Sequence, residues 1–356
     1  MNMKRLFLIL MVVAVFAACN SNKKKSGGQD SKNISITAAG ATFPMPFYNQ
    51  LISDYATKTG ILVTYGGIGS GGGIRSLKDK VVDFGATDAF VTDQQATDLS
   101  APIVHIPTCL GAVVIAYNLT GVTSLKLKNE VLAKIFLGEI KKWNDVQIKA
   151  DNPDVKLPDL NISVIYRSDG SGTTQIFSDY MSKINEKWAK NVGTGKSLNW
   201  PVGMGAKGNP GVAGTIRQTE GAFGYIGSEY AFAQKLPYVL LQNKSGNFIA
   251  PSVQSISAAA KGEIPEDTRI MLTNSNDPDA YPISAFTWII LYKEQAYNGR
   301  SRQQAEETVK FLNWLVGSDA QAVAQKVDYA PLPEKASVLA KAIIKSITYE
   351  GDPLLK

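Results

Sequence analysis

The run Arg167-Ser168-Asp169-Gly170-Ser171-Gly172-Thr173-Thr174 sets a guanidinium, a carboxylate, small hydroxyls and two glycines just ahead of a helical pattern, Ile176, Phe177, Tyr180, Met181 and Ile184. A helix start leaves backbone N–H groups unpaired and carries partial positive charge. Glycine lets that backbone approach a ligand closely, Ser and Thr add adaptable donors, and Arg offers a planar fork suited to a tetrahedral oxyanion. The segment therefore has the parts of half an anion cradle. The same residues also make an ordinary helix N-cap, so alone they do not decide between the two.

Two further regions carry matching chemistry. Ala41-Thr42-Phe43 forms a turn after a short strand, and Thr42 there is by itself an ordinary turn or cap residue. Gly66 to Gly73 is a glycine-rich loop, followed by Asp88 at the end of the strand Val82 to Ala86. No Gly-Lys-Ser/Thr follows the glycines, so they are not a P-loop, and the dinucleotide fingerprint fits poorly. Asp88 alone reads as a cap for the helical turn beginning at Val91-Thr92-Asp93. Three loops of one chemistry, far apart in sequence, argue more than any one of them. The chain has a single histidine, His105, inside the apolar run Ile103 to Ile106, and two cysteines, Cys19 and Cys109. That excludes His-based triads, Cys-His dyads and thiolate or imidazole zinc sites, and no metal site is expected.

The elements that must position these loops alternate between strand and helix. Ile34 to Ala38 is a strand, Pro46 to Lys58 an amphipathic helix stopped by Gly60, and Ile61 to Tyr65 a strand. The glycine loop opens a helix from about Ile74 to Lys80, and Val104 to Asn118 suits one or two buried strands with a possible crossing. Helices are expected near Asn129 to Leu137, from the Arg167 segment to about Ala189, over Gly211 to Gln218 and over Ser228 to Gln234. Strands are expected over Ile162 to Tyr166, Ala222 to Ile226 and Ile283 to Tyr292, with a hairpin from Tyr238 to Gln242 and Asn247 to Ala250. Helices near Arg302 to Val316, Asp319 to Gln325 and Lys335 to Ile347 close the chain. Such alternation predicts an α/β fold of parallel sheets covered by helices, with ligands outside the carboxyl ends of the strands.

The first residues read as an export signal. Lys4 and Arg5 precede the apolar run Leu6 to Phe16, which ends in Ala17-Ala18-Cys19. Met1 to Ala18 is taken as a lipoprotein signal peptide with Cys19 as its lipidation site, although Phe16 stands where such motifs usually carry Leu. Residues 19–32, polar and low in complexity, form a flexible tether. The chain carries 37 basic and 31 acidic residues, net +6. Lys4, Arg5, Lys23, Lys24, Lys25, Lys32 and Asp30 all lie before Asn33, which leaves the remainder at +1. That near-neutral body gives nucleic-acid binding no support. Its length, about 320 residues, exceeds what one core usually supports, so two domains are expected.

Taken together, Ala39-Gly-Ala-Thr-Phe-Pro-Met-Pro46, Gly67-Ile-Gly-Ser-Gly-Gly-Gly73, Val82-Asp-Phe-Gly-Ala-Thr-Asp88 and Arg167-Ser-Asp-Gly-Ser-Gly-Thr173 resemble the substrate-binding proteins of ABC-type phosphate importers. Gly138-Glu-Ile-Lys-Lys-Trp-Asn144, Asn191-Val-Gly-Thr-Gly195, Gly221-Ala-Phe-Gly-Tyr225 and Asp328-Tyr-Ala-Pro-Leu-Pro333 are similar to that family as well, in family order. The resemblance implies a type II periplasmic-binding-protein fold, two α/β lobes with mostly parallel sheets joined by a two-crossing hinge. Residues 33–113 plus 285–356 would form lobe I and 114–284 lobe II. Inorganic phosphate would sit between them, held by Thr42, the Phe43 backbone N–H, Ser70, Asp88, Arg167, Ser171, Gly172 and Thr173, with Asp169 holding the Arg167 fork. Gly71 stands where the family commonly has Ser. The resemblance further implies no enzyme activity, no cofactor, permease subunits of a membrane importer as partners, and a monomeric lobe pair, exported and lipid-anchored.

Asp88 gives that picture a selectivity mechanism. A carboxylate beside a bound anion repels it unless it accepts a proton the anion carries. Hydrogen phosphate donates such a hydrogen bond, and sulfate near neutral pH does not. Arsenate is protonated like phosphate, so Asp88 does not separate those two. An enzyme acting on phosphate esters, a binder of another oxyanion and a surface lipoprotein with a sensing or adhesive role remain the alternatives. The first of these lacks an evident metal-binding acidic cluster or nucleophile-base pair.

Overall fold

The computed structural model describes residues 34–355; the expected signal peptide, Cys19 and the tether lie outside the described residues. In chain order, β1 (Ser35–Gly40) leads through Ala41-Thr42-Phe43-Pro44 into α1 (Met45–Thr59), then β2 (Leu62–Gly67), α2 (Ser70–Lys78), β3 (Phe84–Thr87) and the short α3 (Asp93–Ala96). Next come β4 (Ile103–Tyr117), β5 (Leu125–Leu127), α4 (Asn129–Phe136), α5 (Val146–Asp151), β6 (Ser163–Arg167), α6 (Gly172–Ile184) and α7 (Glu186–Asn191). They are followed by β7 (Met204–Ala206), α8 (Gly208–Gln218), β8 (Ala222–Gly227), α9 (Ser228–Ala233), β9 (Val239–Gln242), β10 (Phe248–Ile249) and α10 (Val253–Ala258). The chain closes with β11 (Ser284–Tyr292), α11 (Arg302–Leu315), α12 (Ser318–Ala324), α13 (Glu334–Lys345) and the small hairpin β12 (Thr348–Tyr349) and β13 (Asp352–Pro353).

One eight-stranded sheet, ordered β2-β1-β3-β11-β4-β8-β6-β7, organises these elements. It is parallel toward both edges, at β2-β1-β3 and at β8-β6-β7, and antiparallel in the middle. The middle depends on β4. Its first ten residues, Ile103 to Ala112, lie along β11, and its last five, Val113 to Tyr117, lie along β8. Both β4 and β11 read as near-continuous apolar runs because helices or loops cover both of their faces. Crowding at the centre requires glycine at Gly111, where an added methyl group would stand 2.4 Å from the Phe43 ring.

Helix α1 shows how the sequence sets the elements that hold the site. Pro46 pre-sets the first turn, Phe47, Tyr48, Leu51 and Tyr55 are buried, and Gly60 ends the helix in the left-handed conformation at φ 75°. The buried Tyr48 hydroxyl pairs with Thr108 of β4 at 2.8 Å, and the Tyr329 hydroxyl bonds the Phe43 carbonyl. The turn carrying Thr42 and Phe43 is thereby fastened to the central strand from two sides.

Several expectations need correction. Helix α2 begins at Ser70, so Gly71, Gly72 and Gly73 lie within a helix and not in an open loop. Tertiary packing overrides their poor helix propensity: a methyl group at Gly73 would fall 2.6 Å from Gly40 Cα. Of the one or two strands expected over Val104 to Asn118, one forms, β4. Helix α3 is capped by Thr92, which forms a capping box with Gln95, so Asp88 is not its cap. Helix α8 starts at Gly208, three residues before the expected Gly211. Strands β5 and β7, helices α5 and α10 and the terminal hairpin, all six residues or fewer, are too short for periodicity to reveal. The β9–β10 hairpin and helices α11 to α13 form where expected, within about two residues.

Candidate anion site

The ends of β1, β3 and β6 and the starts of α2, α6 and α8 meet at one buried cluster. Thr42, Ser70, Asp88, Arg167, Ser171, Thr173 and Asn209 are all buried polar residues there. Arg167, the last residue of β6, donates from Nε to Asp169 Oδ1 at 2.8 Å and from Nη2 to Asp169 Oδ2 at 2.6 Å. The paired geometry fixes the plane of the guanidinium and leaves Nη1 facing Thr173 Oγ1 at 3.3 Å. Gly208 N adds a bond to Asp169 Oδ1 at 2.9 Å. Burial works against a charged Asp169, but Arg167 and Gly208 together hold its carboxyl below the usual carboxylate range. Asp169 is therefore the clamp that orients Arg167.

The opening segment is both a helix cap and a cluster of donors. Ser171 Oγ accepts from Thr174 N at 3.0 Å, which makes Ser171 the N-cap of α6. Its hydroxyl hydrogen remains free to donate, so capping and anion binding do not compete for the residue. Gly172 allows a close approach between the starts of α6 and α2. A methyl group there would stand 2.5 Å from Ser70 Oγ and 2.8 Å from the Asp88 backbone N. Asp88 N in turn donates to Ser70 Oγ at 3.2 Å. Gly71 N donates to Gly170 O at 2.8 Å, joining the start of α2 to the loop before α6. A side chain at Gly71 would begin 3.2 Å from Gly170 Cα, a tight fit at this junction.

Asp88 receives Thr287 Oγ1 on Oδ1 at 3.0 Å and Thr173 Oγ1 on Oδ2 at 3.4 Å. Burial pushes its pKa up to about 7, while Thr287, Arg167, Thr173 and Lys196 pull the other way. Thr42, Ser70, Asp88, Arg167, Ser171, Gly172 and Thr173 are brought together here, and Phe43, whose N–H is the group expected to contribute, follows Thr42 directly with its ring in the core and its carbonyl accepting from Tyr329. Sequence reasoning missed three neighbours. Asn209 donates from N and Nδ2 to Thr42 Oγ1 at 3.0 and 3.1 Å, and from Nδ2 to Thr173 Oγ1 at 3.1 Å. Its signal was Gly208-Asn209-Pro210 at a helix start. Thr287, a polar residue in the otherwise apolar β11, was a second signal. The third is Lys196, whose carbonyl accepts from Ser171 N at 2.9 Å.

The family model described as the PBP superfamily domain matches residues 24–319. The phosphate-binding protein PstS of Xylella fastidiosa strain Temecula1 is 38% identical over 319 residues, covering 88% of this chain and 85% of that protein. PstS of Haemophilus influenzae is 42% identical over 306 residues, covering 84% and 89%. The chain belongs to the PstS family. At the level of fold, this PstS member resembles a solved high-affinity periplasmic phosphate-binding protein bound with phosphate, with TM-score 0.67, 19% identity and coverage of 87% and 93%. It also resembles an ABC-type phosphate transport receptor from Vibrio cholerae, with TM-score 0.53, 19% identity and coverage of 84% and 100%. The α/β periplasmic-binding fold expected from sequence is thus the fold of this chain. Among its described residues, no helix is long and apolar enough to cross a membrane, and no group of three or more His, Cys, Asp or Glu side chains is placed to hold a metal ion.

Proposed function

We propose that this chain captures inorganic phosphate outside the cytoplasm and hands it to the membrane subunits of an ABC-type importer, acting as a binding protein and not as an enzyme. Thr42, Phe43 N–H, Ser70, Asp88, Arg167, Ser171, Gly172 and Thr173 hold the anion, with Asp169 clamping Arg167. One observation carries the reading: a buried acceptor, Asp88, stands in the same cluster as the guanidinium of Arg167 and the donors at the start of α6. A site for a fully deprotonated anion would exclude such a carboxylate, whereas a protonated oxyanion makes use of it. Residues 33–113 with 285–356 and residues 114–284 serve as the two lobes, in keeping with β4 passing from β11 to β8 at Ala112–Val113. Cys19 carries the lipid, residues 19–32 tether the domain to a membrane, and the lobe pair works as a monomer.

Binding proceeds in a sequence the chemistry dictates. Hydrogen phosphate enters between the lobes, Arg167 and the α6 N–H groups neutralise its charge, and its O–H donates a hydrogen bond to the Asp88 carboxylate. Closure removes water and strengthens each of these bonds. A sulfate at neutral pH would leave two acceptors facing each other, a mismatch worth roughly 10⁴-fold in affinity. Isothermal calorimetry at about pH 8 tests the reading. Tight phosphate binding is expected with no competition from sulfate, and Arg167→Ala should weaken phosphate by on the order of 10³-fold or more. Comparable affinities for the two anions, or a fully active Arg167→Ala protein, would overturn it.

A further inference from the structure

Lys196 sits in the loop between α7 and β7, whose first residues are pinned to α7 and α6. Trp188 Nε1 donates to Gly193 O at 3.0 Å, Gly195 N donates to Ser178 Oγ at 3.1 Å, and Ser171 N donates to Lys196 O at 2.9 Å. The backbone of Lys196 is therefore fixed against the N-cap residue of α6, beside the anion cradle. Its stem is partly exposed, yet Nζ itself is shielded from solvent and has no hydrogen-bond partner. An ammonium without a partner in such a place is costly unless something anionic joins it.

The charge balance of the cluster shows what that would be. Arg167 is already paired with Asp169 through two bonds, so together they add no net charge. Asp88 contributes a negative charge when ionised, and a hydrogen phosphate would add two more. Lys196 and Asp88 act on each other electrostatically, and with Arg167 it is a cation that favours the ionised form of Asp88. Building on the phosphate reading, we propose that Lys196 is a further determinant of phosphate affinity, an ammonium that enters the closed site to balance the dianion which Arg167, already matched by Asp169, leaves unbalanced.

The titratable groups that act on Lys196 are few. Asp88, just after β3, and His105, in β4, interact with it electrostatically, while Arg167 acts on the same Asp88 and Arg269, Asp267 and Asp93 act on His105. Burial draws His105 down to about 3, so it stays neutral, and draws Lys196 down to about 8, against the pull of Asp88. Above about pH 8 Asp88 is ionised and hydrogen phosphate stays a dianion. Lys196 is then the facing group whose charge changes.

Calorimetry with inorganic phosphate, on the wild type, Lys196→Met and Lys196→Arg, tests the proposal. Lys196→Met should lose about tenfold or more in affinity while its ligand-free melting temperature is unchanged or raised, and Lys196→Arg should keep most of the affinity. The wild-type affinity should fall between about pH 8 and about pH 9.5, whereas that of Lys196→Met should not. Equal affinities for wild type and Lys196→Met overturn the proposal. If Lys196→Met does not fold, a wild-type affinity that is flat across that pH range overturns it as well. A wild type that binds no phosphate refutes instead the function on which the proposal rests.

Discussion

In the proposed site, Asp88 turns an attractive pocket for anions into one that inspects them, and its charge state sets when the inspection works. Burial raises its pKa to about 7, so above that value it is an acceptor and below it a donor. A protonated Asp88 can donate to sulfate, so sulfate competition should rise as the pH falls through about 7 and vanish above it. Replacing the carboxylate by an amide removes that dependence, because an asparagine side chain offers both donor and acceptor at every pH. Asp88→Asn should therefore admit sulfate to within roughly 100-fold of phosphate at about pH 8, with no further change on acidification. Thr287 can go on donating to the oxygen of the amide, so the fold should survive. Competition titrations at two pH values read this directly, and undiminished sulfate rejection by Asp88→Asn would show that selectivity lies elsewhere.

At the scale of elements, the site consists of helix starts brought close by glycine. Gly172 opens α6 against the start of α2 and the Asp88 backbone with no room for a methyl group. Gly172→Ala should leave each sheet intact, because its clash lies only at the junction with Ser70 and Asp88. It should nevertheless hold the junction open, reducing phosphate affinity by about 100-fold or more and abolishing the compaction on phosphate addition that small-angle scattering should show for the wild type. Normal compaction in Gly172→Ala would mean that the junction yields easily. Much of this architecture was legible in the sequence. Arg167 to Thr173 announce themselves because capping and anion binding use local, contiguous residues, and α1 was visible from Pro46, Gly60 and its buried stripe. The extent of α2 was not, since glycines contribute nothing to an apolar period and only close packing, of Gly73 on Gly40 and Ala86 and of Gly71 on Gly170, places them in a helix. Asn209 and Thr287 escaped for a related reason. Each acts through a partner 167 or 199 residues away, at Thr42 and Asp88. Such pairings exist only once the sheet order is known.

For the whole molecule, the decisive feature is that one continuous strand, β4, pairs with β11 over its first ten residues and with β8 over its last five, so it and the segments packed on it tie the two ends of the sheet together. Glu229 lies in that region, next to Tyr230, whose hydroxyl donates to the Thr42 carbonyl at 2.5 Å. Glu229 is only 4% exposed, and both carboxyl oxygens are buried without a hydrogen-bond partner. Burial pushes its pKa well above the usual carboxylate range, with Asp88 adding to the effect and its own backbone and Tyr329 opposing it. The folded protein therefore keeps a proton on Glu229 at pH values where the unfolded chain, titrating near about 4.3, has released it. Because the native state then binds more protons than the unfolded state, stability is greatest below that unfolded value and declines as the pH rises toward the folded one. Glutamine matches the shape of the protonated acid and has no proton to lose. Glu229→Gln should melt at the same temperature as the wild type near about pH 4 and a few degrees higher at about pH 8, since each kcal/mol moves the midpoint of a chain this size by about 1.5 °C. Thermal unfolding across that range measures the gap. A difference that stays constant with pH would mean that Glu229 is charged in the folded protein.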